Sequence, residues 1–398
     1  MNVGAVYGHL ELLRALVLEY RVDVRLLDCN GHTALLCALE LETKQQPHVD
    51  VALFLINEAP GVDIHARTSE GLTALMLAAR AGVVEVLRAL VAKGVDVDAQ
   101  DKKSRSAVDH AFACKQEEAA IYLLGEGNAT VVGYHFMMPV AAQQGRTRLL
   151  RALLRRMRAD GGPNSEYFME DMGTAAMMAV GKRQAATLQA VIEEGLDPNF
   201  PIHENRLLNE ACRLGHRSIV DFLVERGADG MAPGAKGLLP HHLAAHGGLL
   251  ELLQWLMRTF RIPVDTKGAE CGATVLHMAA TSGCREAVKW LIGEGADPRL
   301  TFHLGEHIKA RASNMAVVAG DQPLVRYLLK QEERADAAEA AARRAQNEKR
   351  HQKQKKAKAR RRAAAEEQGD ADGEGGAEQE QDDGAILSAG DDGQAGQQ

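Results

Sequence analysis

Aromatic residues are scarce in this chain, 4% of 398 residues, although apolar residues make up 46%. A core must therefore be built mainly from Leu, Ala and Val. That excludes a β-sandwich, which wants more aromatic and β-branched side chains. Proline is sparse at 11 residues while glycine is frequent at 38, a mix that suits many short helices joined by Gly turns. The six cysteines (29, 37, 114, 212, 271 and 284) contain no CxxC pair. Their spacing fits neither a zinc site nor a small disulfide framework, so a reducing compartment is expected. No secretory leader is visible, because Glu11, Arg14 and Glu19 stand where an apolar stretch would be needed. The longest stretch without Asp, Glu, Lys or Arg, 127–145, contains Asn128, His135, Pro139, Gln143 and Gln144 and is a poor membrane span. No membrane insertion is expected. Also missing are G-x-S-x-G, a P-loop, H-E-x-x-H, and G-x-G-x-x-G after a strand. No catalytic residue, metal ligand or cofactor is assigned.

What the chain does have is a repeat. Gly71-Leu72-Thr73-Ala74-Leu75 opens a segment that passes through Ala78-Ala79 and Gly82 to Lys93-Gly94-Val95-Asp96. Gly272-Ala273-Thr274-Val275-Leu276 opens another, passing through Ala279-Ala280 and Gly283 to Gly295-Ala296-Asp297. Aligned on the residue that opens the first helix, the copies start at Thr33, Thr73, Ser106, Phe136, Thr174, Arg206, Leu239, Thr274 and Arg311. The spacings are 40, 33, 30, 38, 32, 33, 35 and 37 residues. A tenth, partial copy comes first, with Gly8-His9 ahead of Leu10, Leu12, Leu13, Leu16 and Val17. Its opening position falls before Met1, so the chain is expected to begin inside a helix, either as an internal start of a longer protein or with a frayed first copy. Within the third copy, Leu75, Ala78 and Ala79, then Val84, Leu87, Leu90 and Val91, have helical spacing and form the candidate core. The long steps imply insertions around Glu42–His48 and Asp160–Glu166.

Leu239-Pro240-His241-His242-Leu243-Ala244-Ala245 and Thr274-Val275-Leu276-His277-Met278-Ala279-Ala280, with Gly227-Ala228-Asp229 and Gly295-Ala296-Asp297, resemble the ankyrin repeat. The resemblance covers about 1–332. It departs at Met137-Met138-Pro139, Ala175-Ala176-Met177 and Ala312-Ser313-Asn314, and only Pro240 keeps the proline. It implies an all-α solenoid of nine to ten stacked copies that need their neighbours to bury their faces. It also implies that His242 and His277 are structural, bonded to nearby backbone. The pairs His242/His246 and His303/His307 have the i,i+4 spacing of helical metal ligands, but no third ligand is indicated.

The same resemblance implies a concave groove lined by turn tips and the exposed ends of the first helices. By register that row holds Asn30, Glu70, Arg80, Lys103, Arg105, Gln143, Lys182, His203, Arg213, Lys236, His246 and Glu270. Cations outnumber acids in it. An acidic or phosphorylated protein segment is the expected partner, as against ordinary solvated turn chemistry.

From Leu324 to Gln368 the chain has no Gly or Pro, and beyond Lys330 its apolar face disappears. An Ala/Lys/Arg-rich exposed helix is expected over 333–368, without the heptads of a coiled coil, and an acidic disordered tail over 369–398. Residues 343–362 carry eleven Lys and Arg against Glu348 alone, and 363–398 carry eleven acids and no Lys or Arg. Lys349-Arg350, Lys355, Lys356 and Arg360-Arg361-Arg362 read as a loose bipartite import signal, a phosphate-binding run, or a solvated helix. The expected function is a non-enzymatic interaction scaffold or adaptor. The alternative is a nucleic-acid- or ribosome-associated factor acting through the basic helix. The expected location is cytoplasmic, with the nucleus open through the import-like run.

Overall fold

The computed structural model describes the chain except residues 41–47, 132, 161–167, 269, 271, 304–308 and 370–398; over 358–369 it describes the backbone alone. The chain divides into two units, the first Met1–Gln331 and the second beginning at Glu332. The inferred insertions and the acidic tail fall largely or wholly outside the described residues.

Twenty α-helices occur among the described residues, in ten consecutive pairs. The first three pairs are α1 and α2 (Asn2–Val6, Leu10–Arg14), α3 and α4 (Ala34–Leu39, Val49–Asn57), and α5 and α6 (Ala74–Ala81, Val84–Ala92). Next come α7 and α8 (Ala107–Ala113, Glu117–Leu124), α9 and α10 (Tyr134–Gln143, Thr147–Asp160), and α11 and α12 (Phe168–Gly181, Ala185–Glu193). Then follow α13 and α14 (Leu207–Leu214, Arg217–Glu225), α15 and α16 (Pro240–His246, Leu250–Thr259), and α17 and α18 (Val275–Thr281, Arg285–Gly293). The last pair is α19 (Ala312–Val318) and α20 (Gln322–Gly369), the latter running on through the basic segment. The one named sheet among the described residues is a two-residue ladder, Phe302–His303 against Lys309–Ala310, antiparallel. The fold is thus an all-α solenoid followed by a long helix.

Each pair forms for local reasons. In the third copy the Thr73 hydroxyl accepts the Met76 N–H, capping α5, and Gly82 closes it at φ +78, a left-handed backbone that a side chain would strain. Leu75, Ala78 and Ala79 are buried, as are Leu87 and Leu90. Val84 and Val91 are half-buried, and Val86 joins the core instead. The alanines let the first helices of neighbouring copies approach closely. Before several of the first helices the chain makes a capped turn. Asp28 Oδ1 accepts the N–H groups of Asn30 (2.9 Å) and His32 (2.8 Å). Two copies on, Asp101 Oδ1 does the same for Lys103 (2.8 Å) and Arg105 (2.9 Å).

The register locates the N-cap of seven first helices: Thr33, Thr73, Ser106, Arg206, Leu239, Thr274 and Arg311. It misplaces two. Phe136 lies two residues inside α9, which starts after Gly133, and Thr174 lies inside α11. Phe136 has no side chain able to cap. The Thr174 hydroxyl donates to the Glu170 carbonyl one turn back (2.8 Å) and so serves the helix interior instead of its start.

Candidate protein-interaction face

First helices stack on first helices along the array: α1 on α3, α3 on α5, α5 on α7, then α9 on α11 and so on to α19. The sequence is interrupted once among the described residues, where α7 and α9 barely touch while the outer helices α8 and α10 stay packed. This is where the shortest step, 30 residues, brings Phe136 to the register position that Thr holds in four other copies.

The interruption is a cleft of about 580 Å³. Its apolar lining is Phe112, Phe136, Met137 and Val140. Phe136 is 61% exposed and meets the Phe112 ring edge-on, with centroids 6.3 Å apart. The Arg146 guanidinium lies 5.8 Å from the Phe112 centroid. Arg105 and Lys115 add positive charge, and the carboxylate in the lining, Asp109, is already bonded to the Ser106 N–H (2.7 Å) and hydroxyl (2.8 Å). An exposed aromatic on an apolar floor with a cationic rim suits an apolar side chain flanked by acids.

The twelve register-selected residues all lie at turn tips or at the ends of first helices. Ten are exposed, and Arg80 and Arg105 are half-buried. The array separates them into two kinds. Arg105 is bound to Asp101, with Nε and Nη2 each 2.9 Å from Oδ2, and Arg213 is bound to Glu210 through Nε (2.9 Å) and Nη2 (2.6 Å). Lys103, Lys182 and Lys236 make no ion pair among the described residues. Burial acts against the Asp101 carboxylate, but the N–H groups of Arg105 and Lys103 and the Arg105 guanidinium outweigh it and hold the carboxyl at about 2. Of the row, only Arg105 lines the cleft. Register reasoning missed Phe112, Phe136, Lys115 and Arg146; the short step and the Phe in place of Thr were the signals available.

The two register histidines are occupied by backbone. The Thr274 N–H donates to His277 Nδ1 (3.1 Å), so Nε2 carries the ring proton and donates it to the Leu300 carbonyl (2.9 Å). His242 repeats this with the Leu239 N–H (3.2 Å) and the Thr266 carbonyl (3.1 Å). Burial pushes both rings down to about 4, so they are neutral near pH 7. His242 therefore has no nitrogen to share with exposed His246. His303 sits on a strand, not a helix, and His307 lies outside the described residues. Beside His242, His241 occupies the position where the motif has Leu. It is buried, and neither ring nitrogen has a hydrogen-bond partner. Burial brings its pKa to about 3.

Stacked helix pairs with capped turns define a helical-repeat solenoid. The family model described as "Ankyrin repeats (3 copies)" matches residues 44–132 and 230–302. The chain is similar to the E3 ubiquitin-protein ligase KEG of Arabidopsis thaliana, 23% identical over 73% of this chain and 18% of that protein. It is also similar to the ankyrin repeat protein nuc-2 of Neurospora crassa, 26% identical over 61% of this chain and 23% of the relative. To the nuclear factor NF-kappa-B p105 subunit of Gallus gallus it is 34% identical, over 38% of this chain and 15% of that one. The alignments thus span about a fifth of the first two relatives. These matches support an ankyrin-repeat protein at family level; ankyrin repeats generally mediate protein–protein interaction and are generally non-enzymatic. No helix among the described residues is long and apolar enough to cross a membrane.

Proposed function

We propose that the protein is a non-enzymatic adaptor that holds an acidic or phosphorylated partner segment along the row from Asn30 to Glu270, the face that the ankyrin resemblance makes concave. The observation that carries this reading is the cleft between α7 and α9, where an apolar floor is rimmed by Lys115 and Arg146. An apolar side chain of the partner fills the cleft, and its acids meet the rim and the unpaired Lys103 nearby. Arg105 and Arg213 contribute less, since each already neutralises a carboxylate of its own chain. The test is capture by the full chain, wild type against Phe136→Asp and Arg146→Glu, with Lys289→Glu as a control outside the cleft. The partners lost in both cleft variants and kept in the control are the ones the cleft binds. An identical capture profile for all four proteins would overturn the reading.

The second reading concerns α20. Lys349, Arg350, Lys355 and Lys356 are exposed on it, and a run of cations on one helix suits nucleic-acid phosphates without base selection, since no aromatics are interleaved. Under this reading the acidic tail masks the basic helix at short range. Deleting 369–398 raises RNA affinity at low salt, and removing 343–398 abolishes it. Equal RNA binding by the full and truncated chains rejects both parts. The import reading predicts instead that Arg360→Gln, Arg361→Gln and Arg362→Gln together keep a fluorescent fusion out of the nucleus.

A further inference from the structure

The turns before α3 and α7 are built alike, and their chemistry differs. In the turn before α7, Asp101 is followed at +4 by Arg105 and at +9 by His110. Asp101 Oδ2 takes both partners, Arg105 Nε at 2.9 Å and His110 Nε2 at 3.0 Å. Burial holds His110 below its ordinary value, so the Arg105 cation cancels the Asp101 anion and the group is neutral. In the turn before α3, Asp28 is followed at the same offsets by His32 and Cys37. The guanidinium has become an imidazole and the imidazole a thiol, so the fixed cation is gone. Ligand atoms of Asp28, His32 and Cys37 all lie within 4.8 Å of one another. Cys37 Sγ is 3.6 Å from Asp28 Oδ2. His32 and Cys37 are each 6% exposed. Glu40 Oε2 is 2.8 Å from His32 Nδ1, the kind of contact by which a carboxylate orients an imidazole that binds metal through its other nitrogen. With Nδ1–H donating to the Glu40 carboxylate, the neutral ring keeps the Nε2 lone pair.

We propose that Asp28, His32 and Cys37 bind a divalent zinc ion, with Glu40 as the positioning residue for His32. Thiolate, imidazole and carboxylate are the ligands zinc takes, at about 2.3 Å from sulfur and about 2.0 Å from nitrogen or oxygen. Ligand atoms on one tetrahedral ion then stand roughly 3.5 Å apart, a closure of at most about 1.3 Å from the 4.8 Å limit seen here. Among the ligands the charges balance as they do at Asp101. Zn²⁺ binds the Asp28 carboxylate and the Cys37 thiolate, the Cys37 S–H proton leaves to solvent, neutral His32 adds its lone pair, and a water from solvent fills the fourth position. The ion supplies the positive charge that Arg105 supplies two turns on. Burial and the neighbouring carboxylates Asp28 and Glu40 push the metal-free thiol up to about 12, and a bound cation reverses both influences. The site ties a turn to the start of its own helix, so its role is to lock the second copy.

The test is a cobalt titration of the reduced full chain after chelation, followed by zinc competition. The expected result is one equivalent of Co²⁺ bound with a thiolate-to-metal charge-transfer band and the visible spectrum of a tetrahedral site, both removed by Zn²⁺. Cys37→Ser and His32→Ala each weaken binding by more than about 10-fold, while Cys29→Ser, next to Asp28 but exposed, leaves it unchanged. The paired change His32→Arg with Cys37→His rebuilds the Asp101 arrangement. It keeps the helical circular dichroism and abolishes the band. A full chain that gives no charge-transfer band in excess cobalt overturns the proposal. So does a band that survives Cys37→Ser or the paired change.

Discussion

The eighth and ninth copies and the fourth and fifth are drawn from one repeat pattern and end in opposite states. In the eighth and ninth, His242 and His277 tie the helix start to the following turn, and α15 packs closely on α17. Between the fourth and fifth, the capping residue is replaced by Phe136 and the first helices part. The histidines bond one copy to the next in the closed pair, and nothing equivalent bridges α7 and α9 among the described residues. Departure from the pattern is not enough to open the layer, since α9 packs on α11 and α17 on α19 although the sixth and tenth copies depart as well. The open junction coincides instead with the shortest step and with an exposed Phe136.

The largest effect expected from breaking this contrast is in the closed copies. His277→Ala strips three hydrogen bonds from a buried site and should cost about 3 kcal/mol in urea unfolding. Phe136→Ala, at the open junction, should stay within about 0.5 kcal/mol because the ring is mostly exposed. Leu87→Ala, in a closed copy, should cost roughly 2–5 kcal/mol.

Acid should act on the closed copies next. His241, His242 and His277 have folded-state pKa values of about 3, 4 and 4, below the unfolded value. The unfolded chain therefore binds more protons, and stability falls as pH drops. Between pH 6.5 and 5 each ring should remove about 1–2 kcal/mol. A stability that stays flat over that range would mean these rings are not buried and neutral. His241→Leu restores the motif residue and removes two unsatisfied ring nitrogens; it should add about 1 kcal/mol at pH 7 and flatten the acid response by one histidine's share. The smallest effect is at Ser104, whose φ of +57 sits where Gly31, Gly71 and Gly272 stand in other copies. Ser104→Gly should add about 0.5 kcal/mol, read as a small rise in the melting midpoint.

The fold was almost wholly legible, because a repeat writes its own register. Thr33, Thr73 and Thr274 could be placed as helix starts because their capping chemistry is local. Phe136 and Thr174 could not, since nothing local marks α9 and α11, and those helices start where packing lets them. The position of the twelve register-selected residues was legible to the level of turn tips and helix ends. Its electrostatics were not, because the bonds of Arg213 to Glu210 and Arg105 to Asp101 depend on rotamers that spacing does not fix. The Asp28, His32 and Cys37 group escaped for a related reason. Its ligands come from a turn and a helix, in mixed types, and no paired-cysteine spacing announces them.

The parting of α7 from α9 also bears on how the array comes undone. In a stack, each copy is held only by its neighbours, and cooperativity passes from one to the next through their shared surface. At this junction the outer layer, α8 against α10, carries it, whereas from α11 to α19 the inner layer does. Strain passing along the array must therefore change layers here. A partner seated in that gap would be a mechanical splice, carrying the load of the inner layer across the break.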